Sequence, residues 1–350
     1  MEFNDIVKKP CEWLKGTGPQ SDIAISSRIR LARNLHKMLF VHWAGKKHMD
    51  EVIGIVKNAV AHSMLLKDSL FVKLSIIDSL DRQFLIERHI ISYEFVQNPD
   101  HKAVVIGEKE IVSIMVNEED HLRIQVMHSG FNIQDTWKLA DKIDKELETK
   151  LDYAFSPEWG YLTACPTNTG TALRGSCMLH LPCLVMTKQM GKIIHAITKL
   201  GLTVRGLYGE GTEAAGNFFQ ISNQVTLGQK EDIILDNLQR IIKQVIEHEQ
   251  SLRKNLFEHS RSALEDQIWR SYGTLKNAYI ISAGETIELL SSLRLGVDIG
   301  IVKDLTRQTI NELFLLIQPA HLQKLEGKVL NANERDLKRA ALIREKLKKK

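Results

Sequence analysis

Ten consecutive residues, Cys165-Pro166-Thr167-Asn168-Thr169-Gly170-Thr171-Ala172-Leu173-Arg174, combine a thiol, turn-forming residues and a cationic fork. A core has no use for that mixture, but a site that holds an anion beside a reactive group does. Four more arginines, Arg28, Arg30, Arg123 and Arg205, stand in separate segments. A guanidinium is planar, permanently charged and matches two phosphate oxygens at once. A nucleotide triphosphate needs several such forks where a phosphate loop is lacking, and the sequence contains no GxxxxGK[ST] segment and no protein-kinase motif. The acidic run Glu118-Glu119-Asp120 lies just before Arg123. Arg205 opens a glycine-rich stretch, Gly206-Leu207-Tyr208-Gly209-Glu210-Gly211, with the backbone freedom of a loop passing close to a ligand. Taken singly, each arginine reads as a surface residue and the acidic run as a solvated turn.

Bulk properties set the limits. A chain of 350 residues has room for one large domain or two ordinary ones, and 43% hydrophobic with 26% charged residues is the balance of a soluble globular protein. A net charge of +4 makes no case for nucleic acid as the main partner. No apolar run approaches a membrane span, and the first residues lack a basic region followed by an apolar one. The four cysteines, Cys11, Cys165, Cys177 and Cys183, have neither zinc-site spacing nor the density of a disulfide framework. The expectation is a reduced, cytoplasmic protein with no membrane partner and no direct nucleic-acid contact.

Five segments then fall into one order. Ser26-Ser27-Arg28-Ile29-Arg30, Asn117-Glu118-Glu119-Asp120-His121-Leu122-Arg123, Cys165 to Arg174, Arg205 to Glu213, and Ile221-Ser222-Asn223 together resemble the guanidino (phosphagen) kinases over roughly residues 22–255. The resemblance implies an α+β catalytic domain, an antiparallel sheet flanked by helices. It implies nucleotide contacts from Ser27, Arg28, Ile29, Arg30, Arg123, Arg174, Gly175, Ser176, Cys177, Met178, Arg205, Gly206, Leu207, Tyr208, Gly209 and Glu210, with His89 near the adenine. A guanidinium is a poor nucleophile until its charge is held and a proton removed. The resemblance gives that work to Glu119, as base and orienter, and to Glu210, clamping another nitrogen. Cys165 is set against the guanidinium as a thiolate that positions rather than attacks. The thiols of Cys177 and Cys183 read as buried and structural. Magnesium is expected to arrive with ATP, with no dedicated protein metal site.

The elements that must position these residues are partly legible. Alternation predicts a strand over 23–30, and helical spacing of Val52, Ile55, Val56, Ala59, Val60 and Met64 predicts a helix over 48–66. A second helix is expected over 81–91. Strands over 103–107, 111–116 and 122–126 read as an antiparallel meander, followed by a helix over 132–150 with Asp135 early in it. Short strands near Tyr161, Val204 and Phe218-Phe219 alternate with a helix over 187–200, and a long helix runs from about Lys230 to Glu258. Beyond it the pattern is helical, with one strand candidate at 275–281. The domains expected are an arm over 1–21, a catalytic domain over 22–255 and an all-α domain over 256–350.

Three departures from the small-substrate guanidino kinases bear on the acceptor. The first arginine block begins at residue 26, leaving no room for the helical domain that closes over a free substrate. Met178 stands where those enzymes carry a histidine, and a helical extension follows residue 255. These features resemble the bacterial protein-arginine kinases of the family. That resemblance implies arginine on protein surfaces as acceptor, with CtsR-like repressors and unfolded proteins as targets. It also implies an McsA-like activator, a Clp ATPase and protease downstream, and a homodimer. It further implies a phosphoarginine-binding regulatory element at Arg335, Asp336, Arg339 and Ala340. Arg335 and Arg339, four apart on a helix, would grip the phosphoryl group, although such a run alone reads as a charged helix face. The competing expectations are a kinase of free arginine and a catalytically dead phosphoarginine-binding adaptor.

Overall fold

The computed structural model describes residue 6 and residues 11–206 and 214–348. A 3₁₀ turn at Glu12–Leu14 precedes β1 (Ala24–Arg33) and α1 (Lys46–Ala61). There follow β2 (Leu70–Lys73), α2 (Ser79–Glu87), β3 (Ala103–Ile106), β4 (Val112–Val116), β5 (Leu122–Ser129) and α3 (Ile133–Glu148). A small hairpin, β6 (Phe155–Ser156) and β7 (Gly160–Tyr161), leads to β8 (Leu173–His180), α4 (Pro182–Met186), α5 (Met190–Lys199), β9 (Leu202–Gly206) and β10 (Phe218–Asn223). The rest is helical: α6 (Glu231–His259), α7 (Arg261–Asn277), α8 (Ala283–Asp298), α9 (Arg307–Leu316), α10 (Pro319–Glu326) and α11 (Ala332–Lys346).

Eight strands form one antiparallel sheet in the order β2-β3-β4-β5-β1-β8-β10-β9. The period of two sorts every strand. Ile29 and Leu31 of β1, Ile124 and Val126 of β5, and Leu173, Cys177 and Leu179 of β8 enter one core with apolar stripes of α1, α3 and α6. Helix α6 lies close because β8 has Gly175 beneath it: a Cβ there would stand 2.9 Å from a methyl of Leu238. On the opposite face, Ile25, Met127, Met178 and Phe218 pack with Trp13 and the helices after residue 260. Farther along, Met115 joins Phe84 and Leu85 of α2. Between these packed regions the face stays polar.

The α+β architecture with a helical C-terminal region is therefore the one expected, but several elements differ. The stretch 275–281 holds no strand: Leu275 continues the buried stripe Leu264, Ile268, Ser271, Tyr272 of α7. The helix expected over 81–91 stops at Glu87, and His89 turns into the left-handed region at φ 58°. The helix expected over 187–200 starts at Met190, as α5, because Lys188 at φ 56° turns the chain between it and the short α4 that precedes the expected span. Strand β8 was not anticipated, because Gly175, Ser176 and Cys177 have the look of a loop; pairing with both β1 and β10 makes it a central strand. The division expected at residue 255 falls within α6, whose Arg253 bonds to Glu249 and to the carbonyls of Asp22 and His180. Among the described residues no helix is long and apolar enough to cross a membrane.

Candidate active site

The sheet register does the first part of the work. Arg28 pairs with Met127 on β5 and Ser176 on β8; Arg30 pairs with Gln125 and Arg174; Ala32 pairs with Arg123. Arg205 of β9 sits opposite Gln220 of β10. Residues directly opposite share a face, so five arginines from four strands stand on the polar face. The partners there are mostly neutral. Arg28 Nη2 donates to Gln220 Oε1 (2.9 Å) and Arg174 Nη2 to Ser222 Oγ (3.2 Å). The buried Nε atoms of Arg30 and Arg174 have no partner among the described residues.

Like charges so arranged repel. Burial, then the charges of Arg123 and Arg174, push Arg28 down to about 9. Burial, then Arg28, Arg123 and Arg174, push Arg30 well below its ordinary value, and Arg174 is lowered by burial, Arg205 and Arg123. A guanidinium stays protonated throughout the physiological range, so these are cations held at a cost of burial first and mutual repulsion second, both of which a polyanion offsets. Unpaired donors and clustered cations fit the phosphates of a nucleotide.

Of the clefts on this face, two meet at Arg30 and Arg123. One, of about 460 Å³, runs from Arg28, Arg30 and Arg123 past His89 and Tyr93 to Gln318 and Pro319. Its His89 is held by Gln125, whose Nε2 donates to the His89 carbonyl (2.7 Å), and the imidazole meets Trp13 edge-on at 5.2 Å. Burial, then Arg28, lowers His89 to about 4, so it is a neutral ring. The second cleft, about 110 Å³, brings Arg30, Arg123 and Arg174 against Glu118, Glu119 and Asp120. A phosphate cradle and a carboxylate turn thus share a wall.

The carboxylate turn joins β4 to β5 and is tied on every side. Asn117, buried at φ 62°, donates to the carbonyls of Met49 and His101. Glu118 accepts from Arg123 Nη1 (2.5 Å) and Ser92 Oγ (2.7 Å); burial would raise its carboxyl, but Arg123, Ser92 and the Glu119 N–H hold it below the usual range. Asp120 Oδ1 accepts from Asn34 Nδ2 (2.6 Å) and from the Ala164 N–H (2.7 Å), fastening the turn to the residue before Cys165. Glu119 alone points outward. Burial, then Asp120 and Glu118, raise its carboxyl above the usual range, the shift a base needs to accept a proton near neutrality.

The Cys165 segment is braced from the other side. Thr163 Oγ1 donates to the Cys165 carbonyl (2.8 Å), and Thr226 Oγ1 to the carbonyls of Thr167 and Thr169. Gly170, at φ 109°, passes so close to Thr226 that a Cβ would stand 2.4 Å from its carbonyl oxygen. Cys165 Sγ is partly exposed, 3.0 Å from Thr167 Oγ1.

Not every expected residue reaches this face. Ser27, Ile29, Gly175 and Cys177 point their side chains, or the space where one would be, to the helix layer: Ser27 Oγ donates to the Gly130 carbonyl, Ile29 is core, and burial pushes the Cys177 thiol up to about 12. Their side chains are therefore structural; Arg28, Arg30, Arg174 and Ser176 carry the polar face. Met178 packs beneath it with Phe218 and Ile25. Gly206 ends β9, and Leu207, Tyr208, Gly209 and Glu210 lie outside the described residues. Sequence reasoning missed Asn34, Ser92, Gln125 and Gln220, and left Asp120, His121 and Ser222 without a role inside the motifs that contain them. Gln125 was findable two residues past Arg123; Gln220 is brought in by register alone.

In the C-terminal region, α11 opens with a reciprocal cap between Asn331 and Glu334. Arg339 is 1% exposed, with Nε donating to the Ile317 carbonyl (3.0 Å), Nη1 to the Ile281 carbonyl (2.9 Å), and a close ion pair to Asp336. Arg335 is half-buried and donates to the Leu330 carbonyl (3.0 Å). The four-residue spacing therefore does not make a matched pair of forks here: Arg339 is a staple, Ala340 packs in the core, and Arg335 is the more accessible cation. Among the described residues no group of three or more His, Cys, Asp or Glu is arranged to hold a metal ion.

Comparison with known proteins accounts for both halves. The description "ATP:guanido phosphotransferase, C-terminal catalytic domain" matches residues 51–252, and "Protein-arginine kinase McsB C-terminal domain" matches residues 261–350. A protein-arginine kinase of Desulforamulus reducens is 48% identical over 99% of this chain and 98% of its own length, and one of Bacillus subtilis is 46% identical over 96% and 93%. In fold, a lombricine kinase superposes with a TM-score of 0.60 at 24% identity, covering 71% of this chain and 73% of that one. The duplicated taurocyamine kinase of Schistosoma mansoni gives 0.62 at 22%, covering 76% and 39%. A face of underpaired arginines beside an acidic turn, on this sheet and in this company, makes the chain a member of the ATP:guanido phosphotransferase family, in its protein-arginine kinase branch.

Proposed function

We propose that this protein transfers the γ-phosphoryl group of MgATP to arginine side chains of proteins. The observation that carries the reading is the shared wall of the small cleft, where Arg30, Arg123 and Arg174 face Glu118, Glu119 and Asp120. The arginine forks hold the phosphates in line and offset their charge; magnesium, entering as part of the MgATP substrate, supplies further charge neutralisation. Glu119 takes a proton from the acceptor guanidinium as its nitrogen attacks the γ-phosphorus. One P–N bond forms, the P–O bond to ADP breaks, and the electron pair leaves on the ADP oxygen. Cys165 and Glu210 complete the hold on the guanidinium in this reading. His89, neutral beside Trp13, offers the adenine a flat, uncharged neighbour. Because Glu119 must be ionised, kcat/KM falls as pH drops through its raised pKa.

The test is Glu119→Ala with an arginine-rich protein and MgATP, the product counted as acid-labile phosphate. Transfer should fall by about 10²–10⁴-fold with ATP affinity retained; full activity removes Glu119 from the role. Equal labelling of free arginine by the unaltered enzyme would instead favour a phosphagen kinase.

Resemblance along the whole chain supports the wider setting. It takes residues 22–255 as catalytic and 256–350 as regulatory, in a cytoplasmic, dimeric enzyme stimulated by an McsA-like protein. Its products are marked for a Clp protease, and a CtsR-like repressor is among them. Phosphoarginine binding at Arg335 and Asp336, on the helix that the Arg339 staple fixes, is read as regulatory. Asp336→Ala should abolish stimulation by added phosphoarginine while basal transfer persists; unchanged stimulation rejects that site.

A further inference from the structure

The acidic turn also holds a loop that the phosphotransfer reading leaves unused. Residues 36–45, between β1 and α1, hang on the His121 ring: Nδ1 accepts from the Leu35 N–H (3.0 Å) and Nε2 donates to the Leu39 carbonyl (2.9 Å). One acceptor and one donor describe a neutral imidazole, and burial lowers His121 below its ordinary value. The N–H groups of Trp43 and Ala44 both donate to the Phe40 carbonyl (2.8 and 2.9 Å), closing a turn.

That turn faces its apolar side chains outward. Trp43 is 74% exposed and Leu39 52%. Phe40 and His42 stack with rings 6.1 Å apart and 8° from parallel, and His42 meets Trp43 edge-on at 5.8 Å. The loop lies beside the acidic turn, whose His121 and Glu119 are two residues apart. The neighbouring helix α1 buries Val52, Ile53 and Val56 without using these side chains. Hydrogen bonds to the acidic turn thus hold a tryptophan and a leucine together as an apolar shelf open to a partner.

Charge and polarity together define that partner. The acidic turn takes a cation, and the shelf beside it takes apolar groups. A polypeptide with arginine next to leucine or an aromatic residue offers both, provided those neighbours are not buried in its own core. We propose that the Leu39–Trp43 loop docks apolar side chains flanking the target arginine of an unfolded polypeptide, so that the enzyme selects arginine by exposed apolar context. This rests on the phosphotransfer reading above and adds to it a surface that determines which arginine is chosen. The main contribution is expected from Trp43, since aromatic anchors dominate such contacts.

The experiment measures transfer to unfolded casein by the full chain and by Trp43→Ala and Trp43→Phe. Trp43→Ala should raise KM for casein about tenfold, with kcat and KM for ATP held within about twofold; Trp43→Phe should restore most of the affinity. The unaltered enzyme should favour a peptide arginine flanked by leucine and phenylalanine over one flanked by serine and glycine, and Trp43→Ala should erase that preference. If Trp43→Ala fails to fold, Leu39→Ser carries the same expectation at smaller size. Unchanged KM for casein overturns the shelf alone, as does sedimentation showing that Trp43→Ala separates copies of the chain from one another. No labelling of casein by the unaltered enzyme overturns the phosphotransfer reading beneath it, a result separable from the first.

Discussion

Arg28, Arg30 and Arg174 and, elsewhere in the molecule, Arg253, Arg294 and Arg339 are the same residue removed from water in different ways. The second group is paired with carbonyls and carboxylates; even Arg294 Nη1, which makes no hydrogen bond, lies 3.5 Å from Asp298. Arg253 bonds to Glu249 and the His180 carbonyl, Arg294 to Asn311 and the Ser21 carbonyl beside Asp298, and Arg339 to two carbonyls and Asp336. The first group has neutral amide and hydroxyl partners, unpaired Nε atoms and one another's charge. Burying a charge is tolerable when carboxylates and carbonyls surround it. Burying several together without them leaves a deficit of negative charge, and that deficit is what a triphosphate fills. The pairing of an arginine, more than its burial, separates staple from site.

Three measurements can break that contrast. The largest effect is expected at the staple. Arg339→Met leaves two carbonyls and Asp336 without their donor and should cost about 3 kcal/mol of stability, read as a lowered denaturant midpoint. Arg30→Met should do the reverse: it relieves repulsion, so the nucleotide-free protein melts no lower, while KM for ATP rises about ten- to a hundredfold through the loss of a charged contact. Equal destabilisation by both substitutions would erase the distinction.

The smallest effect crosses both regions, because each holds a histidine against arginine charge. Burial and Arg28 lower His89 to about 4; burial, Arg294 and Arg253 lower His180 well below its ordinary value. The unfolded chain takes up these protons near pH ~6.5, and the folded chain resists until the pH is much lower. The unfolded state therefore binds more protons across that window, and stability is lost as pH falls through it. The melting temperature should fall steadily from about pH 6.5 towards about pH 4; a flat profile would show that neither histidine is so constrained.

Legibility differed from one element to the next. The meander β3-β4-β5 was readable because its strands are short apolar runs separated by turn residues, and helices α1, α3 and α6 because each has a single exposed face and a regular apolar period. Strand β8 was not, since small residues lie where α6 presses on it, and the reason for Gly175 is a leucine sixty residues away. Within the site, the arginines announced themselves by type, whereas the resemblance supplied Glu119 and grouped Ser27, Ile29 and Cys177 with them. A strand sends neighbours to opposite faces, so half of each short block had to be structural. Arg335 and Arg339 looked alike in sequence and part company in the fold, because only one of them meets the carbonyls of Ile281 and Ile317.

Residue type and period, fixed in the chain itself, determined that this protein carries several guanidinium forks, a carboxylate turn and apolar strands that build a sheet. The register between β5, β1, β8 and β10 decided which arginines stand together, and the bond from Ala164 to Asp120 decided that the cysteine segment meets the acidic turn. Those decisions lie beyond the linear sequence because each depends on which distant segment supplies the opposing atom, and that is settled only when the strands pair and the helices close over them.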